Sequence, residues 1–198
     1  TITITDEGTY IIKGTLDNGS IIINTEKSDK VHLILNNASV NSSDFAPLYI
    51  SQCDKVFVTL EDGSSNTLSC GEAFTAIDEN NVDGAVYSRR SINVSGNGAL
   101  EIVAENEGFC SEMHMTVNGG KIDIKSGNDG INTSEDGVSV FAINAGELNI
   151  QVTGETGEGD GIDSNGWLVI NGGTVYASAN ADSKDSGIDS NMGIYING

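Results

Sequence analysis

The sequence predicts an all-β fold, a right-handed single-stranded parallel β-helix of about eight coils of 23–27 residues that takes up residues 1–198 as one domain. Two observations predict it. A short phrase recurs, an apolar residue followed by Asn and Gly: Val117-Asn118-Gly119-Gly120, Ile143-Asn144-Ala145-Gly146, Ile170-Asn171-Gly172-Gly173 and Ile196-Asn197-Gly198, with the Asn 26, 27 and 26 positions apart. Self-similarity at this period marks a solenoid, and it is too short for a propeller blade. Apolar residues also alternate over short runs bounded by Gly, Asn and Ser: Val31, Leu33, Leu35; Val56, Val58, Leu60; Met113, Met115, Val117; Leu148, Ile150, Val152; and Leu168, Ile170. Period two with such boundaries is the strand signal. Right-handedness follows from the preference of parallel crossovers.

The coils can be followed in order. Lys13 opens the recurring slot, and Asn36, Glu61, Ser95, Asn118, Asn144, Asn171 and Asn197 continue it in steps of 23, 25, 34, 23, 26, 27 and 26. The step of 34 places an insertion in the coil near 64–90. Twenty-five Gly and a single Pro, Pro47, suit many tight corners, since Gly supplies positive φ and Asn tolerates it. The Asn column is expected to form a structural ladder, each side chain bonding the same residue of the next coil.

Charge narrows the function. Nine Lys and Arg against 29 Asp and Glu give a net charge of −20. Nucleic acid is excluded, because phosphate contacts need clustered cations, and an anionic membrane surface is disfavoured for the same reason. The sequence shows neither a transmembrane segment nor a signal peptide at Thr1. Cys53, Cys70 and Cys110 have no CxxC or Cys/His spacing and read as small core residues.

The acidic residues gather in a second phrase, Asp129-Gly130-Ile131-Asn132, Asp160-Gly161-Ile162-Asp163 and Ser186-Gly187-Ile188-Asp189. Stacking in register about 4.8 Å apart places Asn132, Asp163 and Asp189 in one column. Asp129 and Asp160 form another, with Glu107 below and Asp185 offset by one; Ser134, Asn165 and Asn191 form a third. Two carboxylates 5 Å apart repel by about 3 kcal/mol at an effective dielectric of ~20. Repeating that on adjacent coils calls for a counter-ion, and carboxylates, amides and carbonyls are the hard oxygen donors that suit Ca²⁺. The Gly beside each carboxylate lets the backbone bend so that carbonyls can join. The candidate metal ligands are therefore Asp129, Asn132, Asp160, Asp163, Asn165, Asp185, Asp189 and Asn191. The alternative is a solvated acidic edge with hydrogen-bonded Asn ladders.

Other functional residues are few. His32 and His114 alternate with inward apolar residues and should face outward, without a catalytic partner. Arg89-Arg90 is the only adjacent basic pair and a candidate for a sugar carboxylate. Aromatics available to stack on sugar rings are Trp167, Tyr195, Tyr176, Tyr87, Phe45 and Tyr49. Arg89, Arg90, Trp167 and Tyr195 make up the candidate carbohydrate-binding set.

Several runs resemble a bacterial carbohydrate-binding β-helix family: Gly8-Thr9-Tyr10-Ile11-Ile12-Lys13-Gly14-Thr15-Leu16, Val31-His32-Leu33-Ile34-Leu35-Asn36, Ala46-Pro47-Leu48-Tyr49-Ile50, Val58-Thr59-Leu60-Glu61-Asp62-Gly63, Ala85-Val86-Tyr87-Ser88, Asn93-Val94-Ser95-Gly96-Asn97-Gly98 and Gly159-Asp160-Gly161-Ile162-Asp163-Ser164. The resemblance spans almost the whole chain and keeps motif order. It implies a polysaccharide-lyase-like, calcium-containing protein, secreted or on the cell surface, that attaches to plant cell-wall polysaccharides such as cellulose and polygalacturonate. The family often carries Lys after the Ser of the Asp-Gly-Ile turn, whereas this chain has Arg89, Glu112, Glu135, Asn165 and Asn191 there, which favours calcium bridging over direct ionic contact with an acidic sugar.

Three functions follow as expectations. The first is a non-catalytic polysaccharide-binding or adhesion protein stabilised by calcium. The second is a calcium-dependent lyase, for which Arg89, Arg90, Lys121 and Lys125 are the available bases. The third is a structural subunit that stacks head to tail into cell-surface fibres, because strand-like residues at both ends leave open edges.

Overall fold

A computed structural model describes residues 1–154 and 159–198. All eighteen elements among them are strands, and every pairing is parallel. One sheet has seven strands: β1 (Ile2–Ile4), β3 (Ile21–Asn24), β5 (Leu48–Gln52), β8 (Gly84–Ser88), β11 (Glu107–Ser111), β13 (Ile131–Thr133) and β15 (Ile162–Ser164). The other has eleven strands and bends around a corner. Its first half stacks β2 (Gly8–Leu16), β4 (Lys30–Ser42), β6 (Lys55–Leu60), β9 (Ser91–Gly96), β12 (Met115–Ser126), β14 (Val140–Val152), β16 (Trp167–Ile170) and β18 (Gly193–Ile196). The second half takes the far ends of the long strands together with β7 (Ser65–Cys70), β10 (Ala99–Ala104) and β17 (Thr174–Ser178). Eight successive strands in one column amount to about seven turns of a β-solenoid, close to the eight coils expected.

The alternation read from sequence sets the core. Leu33, Val58, Val94, Val117, Ile143 and Ile170 stack inward, each at most 8% exposed. At about 1.5–3 kcal/mol per fully buried aliphatic side chain, such columns are the main source of stability. His32 and His114 turn outward as expected; His32 Nε2 lies 2.8 Å from Thr59 Oγ1, and His114 Nδ1 accepts the Val140 N–H at 3.1 Å. The recurring phrase makes the corner. Its second Gly takes φ near +90° to +100° at Gly120, Gly146 and Gly173, a conformation open to Gly at little cost.

Register corrects the first three slots. Val56 pairs with Ile92, a step of 36, and Thr59 faces Ser95 on one side and Ile34 on the other, with Ile11 beyond, so Ile11, Ile34 and Thr59 rather than Lys13, Asn36 and Glu61 share the column of Ser95 and the later Asn. The reason is the insertion: β7 is an ordinary strand of its coil, and the extra residues lie at 71–83. They close over the outer face of the seven-stranded sheet. Phe45, Ala46, Tyr49 and Val82 form a second small core there, with Tyr49 OH donating to Asp78 Oδ2 at 2.6 Å and accepting from Asn80 Nδ2 at 2.8 Å. Phe45 and Tyr49, expected as exposed aromatics, are 6% and 0% exposed for this reason.

Candidate functional site

The outer column of the seven-stranded sheet runs Ile22, Tyr49, Tyr87, Cys110, Asn132, Asp163. Ile188 bridges Ile162, so Asp189 comes next. Loop 71–83 covers the apolar end of this column. Past it, the polar side chains form a ridge beside a second column, Glu107, Asp129, Asp160, Ser186, placed by Gly108, Gly130, Gly161 and Gly187.

These glycines are required by stacking. A Cβ on Gly108, Gly130 or Gly161 would lie 2.5 Å from the carbonyl oxygen of Gly130, Gly161 or Gly187 in turn. None of the four has a positive φ. The expectation that Gly lets the backbone bend is therefore corrected: it lets adjacent coils approach, which brings the flanking carboxylates together.

Six of the eight expected metal ligands meet on the ridge. Oxygens of Asp160, Asp163 and Asp189 lie within 4.8 Å of one another. Asp129 Oδ1 accepts the Asp160 N–H at 2.7 Å, Asp160 Oδ1 accepts that of Ser186, and Asp185 Oδ2 accepts that of Gly159 at 3.0 Å. Asn132 Nδ2 donates to Glu107 Oε1 at 3.3 Å and to Asp129 Oδ2 at 3.4 Å, while its Oδ1 is buried without a partner. Asn165 and Asn191 stand apart: Asn191 Nδ2 donates to Asn165 Oδ1 and Asn165 Nδ2 to the Ser134 carbonyl, both at 3.1 Å. That third column is a hydrogen-bonded ladder.

The electrostatics are those of converging like charges. Burial, then Asp83, pushes the Glu107 carboxyl up to about 7. Burial pushes Asp129 to about 6, with Asp160 and Asp185 adding to it, and Asp163 to about 6, with Asp129, Asp160 and Asp189 adding. Asp160 is raised for the same reason. These carboxyls are held away from water with no Lys or Arg paired to them among the described residues. A cation fits such a set: it would replace the lost hydration, and the donors are oxygens.

Two ridge residues escaped the sequence reading. Cys110 is buried, but on the outer face rather than in the core, and its Sγ donates to Glu107 Oε2. Asp83 joins Glu107 and Cys110 in a second group of possible ligands within 4.8 Å. The signal for Asp83 was Asp83-Gly84, which repeats the Asp-Gly phrase one residue out of register with Glu107. Cys53 and Cys70 are buried core residues, and all three cysteines are free.

The remaining candidates lie elsewhere. Arg89 Nε pairs with Glu112 Oε2 at 3.3 Å, and Tyr87 OH donates to Glu112 Oε1 at 3.2 Å. Arg90 Nε is buried and unpartnered. Lys121 pairs with Glu147 at 3.1 Å on the second half of the eleven-stranded sheet, where Lys125 also sits. Trp167 and Tyr195 lie on the first half of that sheet, ring centroids 5.7 Å apart at 36°.

A family model described as carbohydrate-binding domain-containing protein matches residues 1–198. A carbohydrate-binding domain-containing protein of Acetivibrio thermocellus is 32% identical over 128 residues, 63% of this chain and 45% of that protein, so the match spans about half the relative's length. The structure of the polysaccharide lyase-like protein from C. thermocellum, a gadolinium derivative, is similar with a TM-score of 0.82 and 27% identity, over 98% of this chain and 86% of that one.

Proposed function

The chain belongs to the carbohydrate-binding domain-containing protein family, and from that premise we propose that it is a non-catalytic polysaccharide-binding protein whose carboxylate ridge holds Ca²⁺ and, through it, the carboxylates of an acidic glycan. The observation that carries this reading is the convergence of Asp160, Asp163 and Asp189 within 4.8 Å, continued down the coils by Asp129 and Asn132. Ca²⁺ accepts six to eight oxygens in flexible geometry. A ridge open on one side therefore leaves coordination positions for uronate oxygens. Plant cell-wall pectate is the partner proposed, and secretion or display at the cell surface the location.

A lyase would need a base beside the bound cation. Arg89 is paired with Glu112, and Lys121 and Lys125 lie on another sheet, so the proposal is binding without catalysis. Calorimetric titration of EDTA-dialysed protein tests it, followed by polygalacturonate pull-down with and without Ca²⁺. Calcium-dependent retention without release of unsaturated uronides supports it; absence of any calcium heat, or accumulation of such uronides, refutes it.

A further inference from the structure

The foot of the ridge differs in chemistry from its top. Where Asp160, Asp163 and Asp189 offer oxygen alone, Asp83, Glu107 and Cys110 bring two carboxylates and a thiol within 4.8 Å of one another. Asp83 ends loop 71–83 just before β8, while Glu107 and Cys110 stand on β11, where Glu107 pairs with Gly84. Glu107 and Cys110 are 8% and 4% exposed, and the Glu107 N–H donates to the Asp83 carbonyl at 3.2 Å. Gly84 leaves room for the sulfur: a Cβ there would lie 2.6 Å from Cys110 Sγ.

A second observation points to a ligand here. Asn132 stacks on Cys110 in the next coil and turns its amide against Glu107 Oε1 and Asp129 Oδ2. Its Oδ1 is buried from water and has no hydrogen-bond partner. A buried acceptor without a donor is costly, and a cation beside it supplies what it lacks. Neither Asp83 nor Glu107 pairs with a Lys or Arg among the described residues. The converging donors and the orphaned acceptor are independent, and both call for positive charge at one place.

We propose that Asp83, Glu107 and Cys110 form a thiolate-containing site for a borderline-soft divalent cation of the Zn²⁺ class, separate from the calcium ridge and independent of glycan binding. Sulfur selects the ion. Ca²⁺ takes hard oxygens, whereas a thiolate among carboxylates suits Zn²⁺. Zn²⁺ holds sulfur at about 2.3 Å and carboxylate oxygen at about 2.0–2.2 Å, which puts tetrahedral ligands roughly 3.4–3.7 Å apart. Donor atoms within 4.8 Å of one another reach that spacing by shifts of about 1 Å. Cys110 Sγ now donates its hydrogen to Glu107 Oε2; binding breaks that S–H bond, forms the metal–sulfur bond and releases the proton to solvent. Because Asp83 belongs to the loop and the other two ligands to the sheet, the ion fastens loop 71–83 over Tyr49.

Calorimetry with Zn²⁺ on protein stripped of metal and dialysed into excess Ca²⁺ tests the proposal, with Cd²⁺ absorbance as a second readout. One Zn²⁺ per chain is expected to bind, and Cd²⁺ to give the ultraviolet thiolate-to-metal charge-transfer band. Cys110→Ser should abolish the band and weaken Zn²⁺ by at least about a hundredfold, beyond the loss of an outer-shell partner. Asp83→Asn should weaken Zn²⁺ about tenfold or more, and it decides alone if Cys110→Ser fails to fold. Cys53→Ala, in the core, should leave both readouts unchanged. Absence of Zn²⁺ binding in Ca²⁺, a band that survives in Cys110→Ser, or wild-type affinity in the folded variants overturns the proposal. Zn²⁺ binding without the Cd²⁺ band overturns it as well, since the ion then sits on carboxylates alone. Retention of polygalacturonate in Ca²⁺ is read separately, so failure here leaves the glycan reading standing.

Discussion

Replacing Asp163 by Asn should stabilise the protein in EDTA and strip it of most of its response to calcium. Asn has the same shape but no charge. The Asp163 carboxyl is half-buried and pushed from 3.8 to about 6 by burial and then by Asp129, Asp160 and Asp189. Keeping it ionised at pH 8 costs up to about 3 kcal/mol, which solvent screening at a half-exposed group cuts to about 1–2 kcal/mol. For a chain of this length each kcal/mol moves the melting temperature by about 2–4 °C, so Asp163→Asn should melt about 2–8 °C above wild type in EDTA. At a Ca²⁺ concentration a hundred times the wild-type Kd, the ion adds about 2.7 kcal/mol; a hundredfold weaker site keeps only about 0.4 kcal/mol. Scanning calorimetry of both proteins at pH 8, in EDTA and in Ca²⁺, reads both differences. A variant that melts below wild type in EDTA, or that gains as much from Ca²⁺, refutes the reasoning.

Three further outcomes follow from the same geometry. The raised carboxyls of Glu107, Asp129 and Asp163 hold protons in the folded state that the unfolded chain has released; stability in EDTA should therefore be greatest near pH 4–5 and fall as pH rises through 6 to 7, by about 3 kcal/mol for the deeply buried Glu107 alone, and Ca²⁺ should flatten that fall in a thermal pH series. Gly130→Ala would put a Cβ 2.1 Å from Ile150 Cγ2 and 2.5 Å from the Gly161 carbonyl, an overpacking expected to cost about 1–3 kcal/mol or more in urea unfolding, whereas Gly14→Ala meets nothing within 4 Å and should lose only what its positive φ imposes. Burial pushes the thiols of Cys53 and Cys70 up to about 11 and 12, and burial and then the Glu107 carboxylate raise that of Cys110 well above its usual range, so a disulfide reagent at pH 8 should label none of the three in native protein and all three in urea.

The solenoid and its acidic columns were legible because both depend on period. A strand's inward set is written as alternation, and stacking in register turns equal spacing into adjacency; Asp129, Asp160, Asp163 and Asp189 needed nothing more. What failed to show has no period. Loop 71–83 covers Tyr49 through contacts particular to that loop, so an outward strand position that reads as exposed is among the most buried in the chain. Cys110 sits between Phe109 and Ser111 and reads as core, yet its pairing with Asn132 puts it on the outer face. The Asn165 and Asn191 amides share the carboxylates' spacing but lie farther along the strand, where they satisfy each other. Spacing identifies which residues stack, and only the strand position decides what they face.

The close contact of Gly108, Gly130, Gly161 and Gly187 has a consequence for how such a protein changes size. Because each coil meets only its neighbours, duplicating one coil of the Asp-Gly-Ile type would add one rung of carboxylates, leaving the existing rungs undisturbed. Loop 71–83 blocks this on its own side by burying the outer column, so the ridge can lengthen in one direction only. Grip on a polymer would then be set by counting: each added rung raises the local concentration of sites along one strand of glycan, and copy number of a single coil becomes the quantity that tunes avidity.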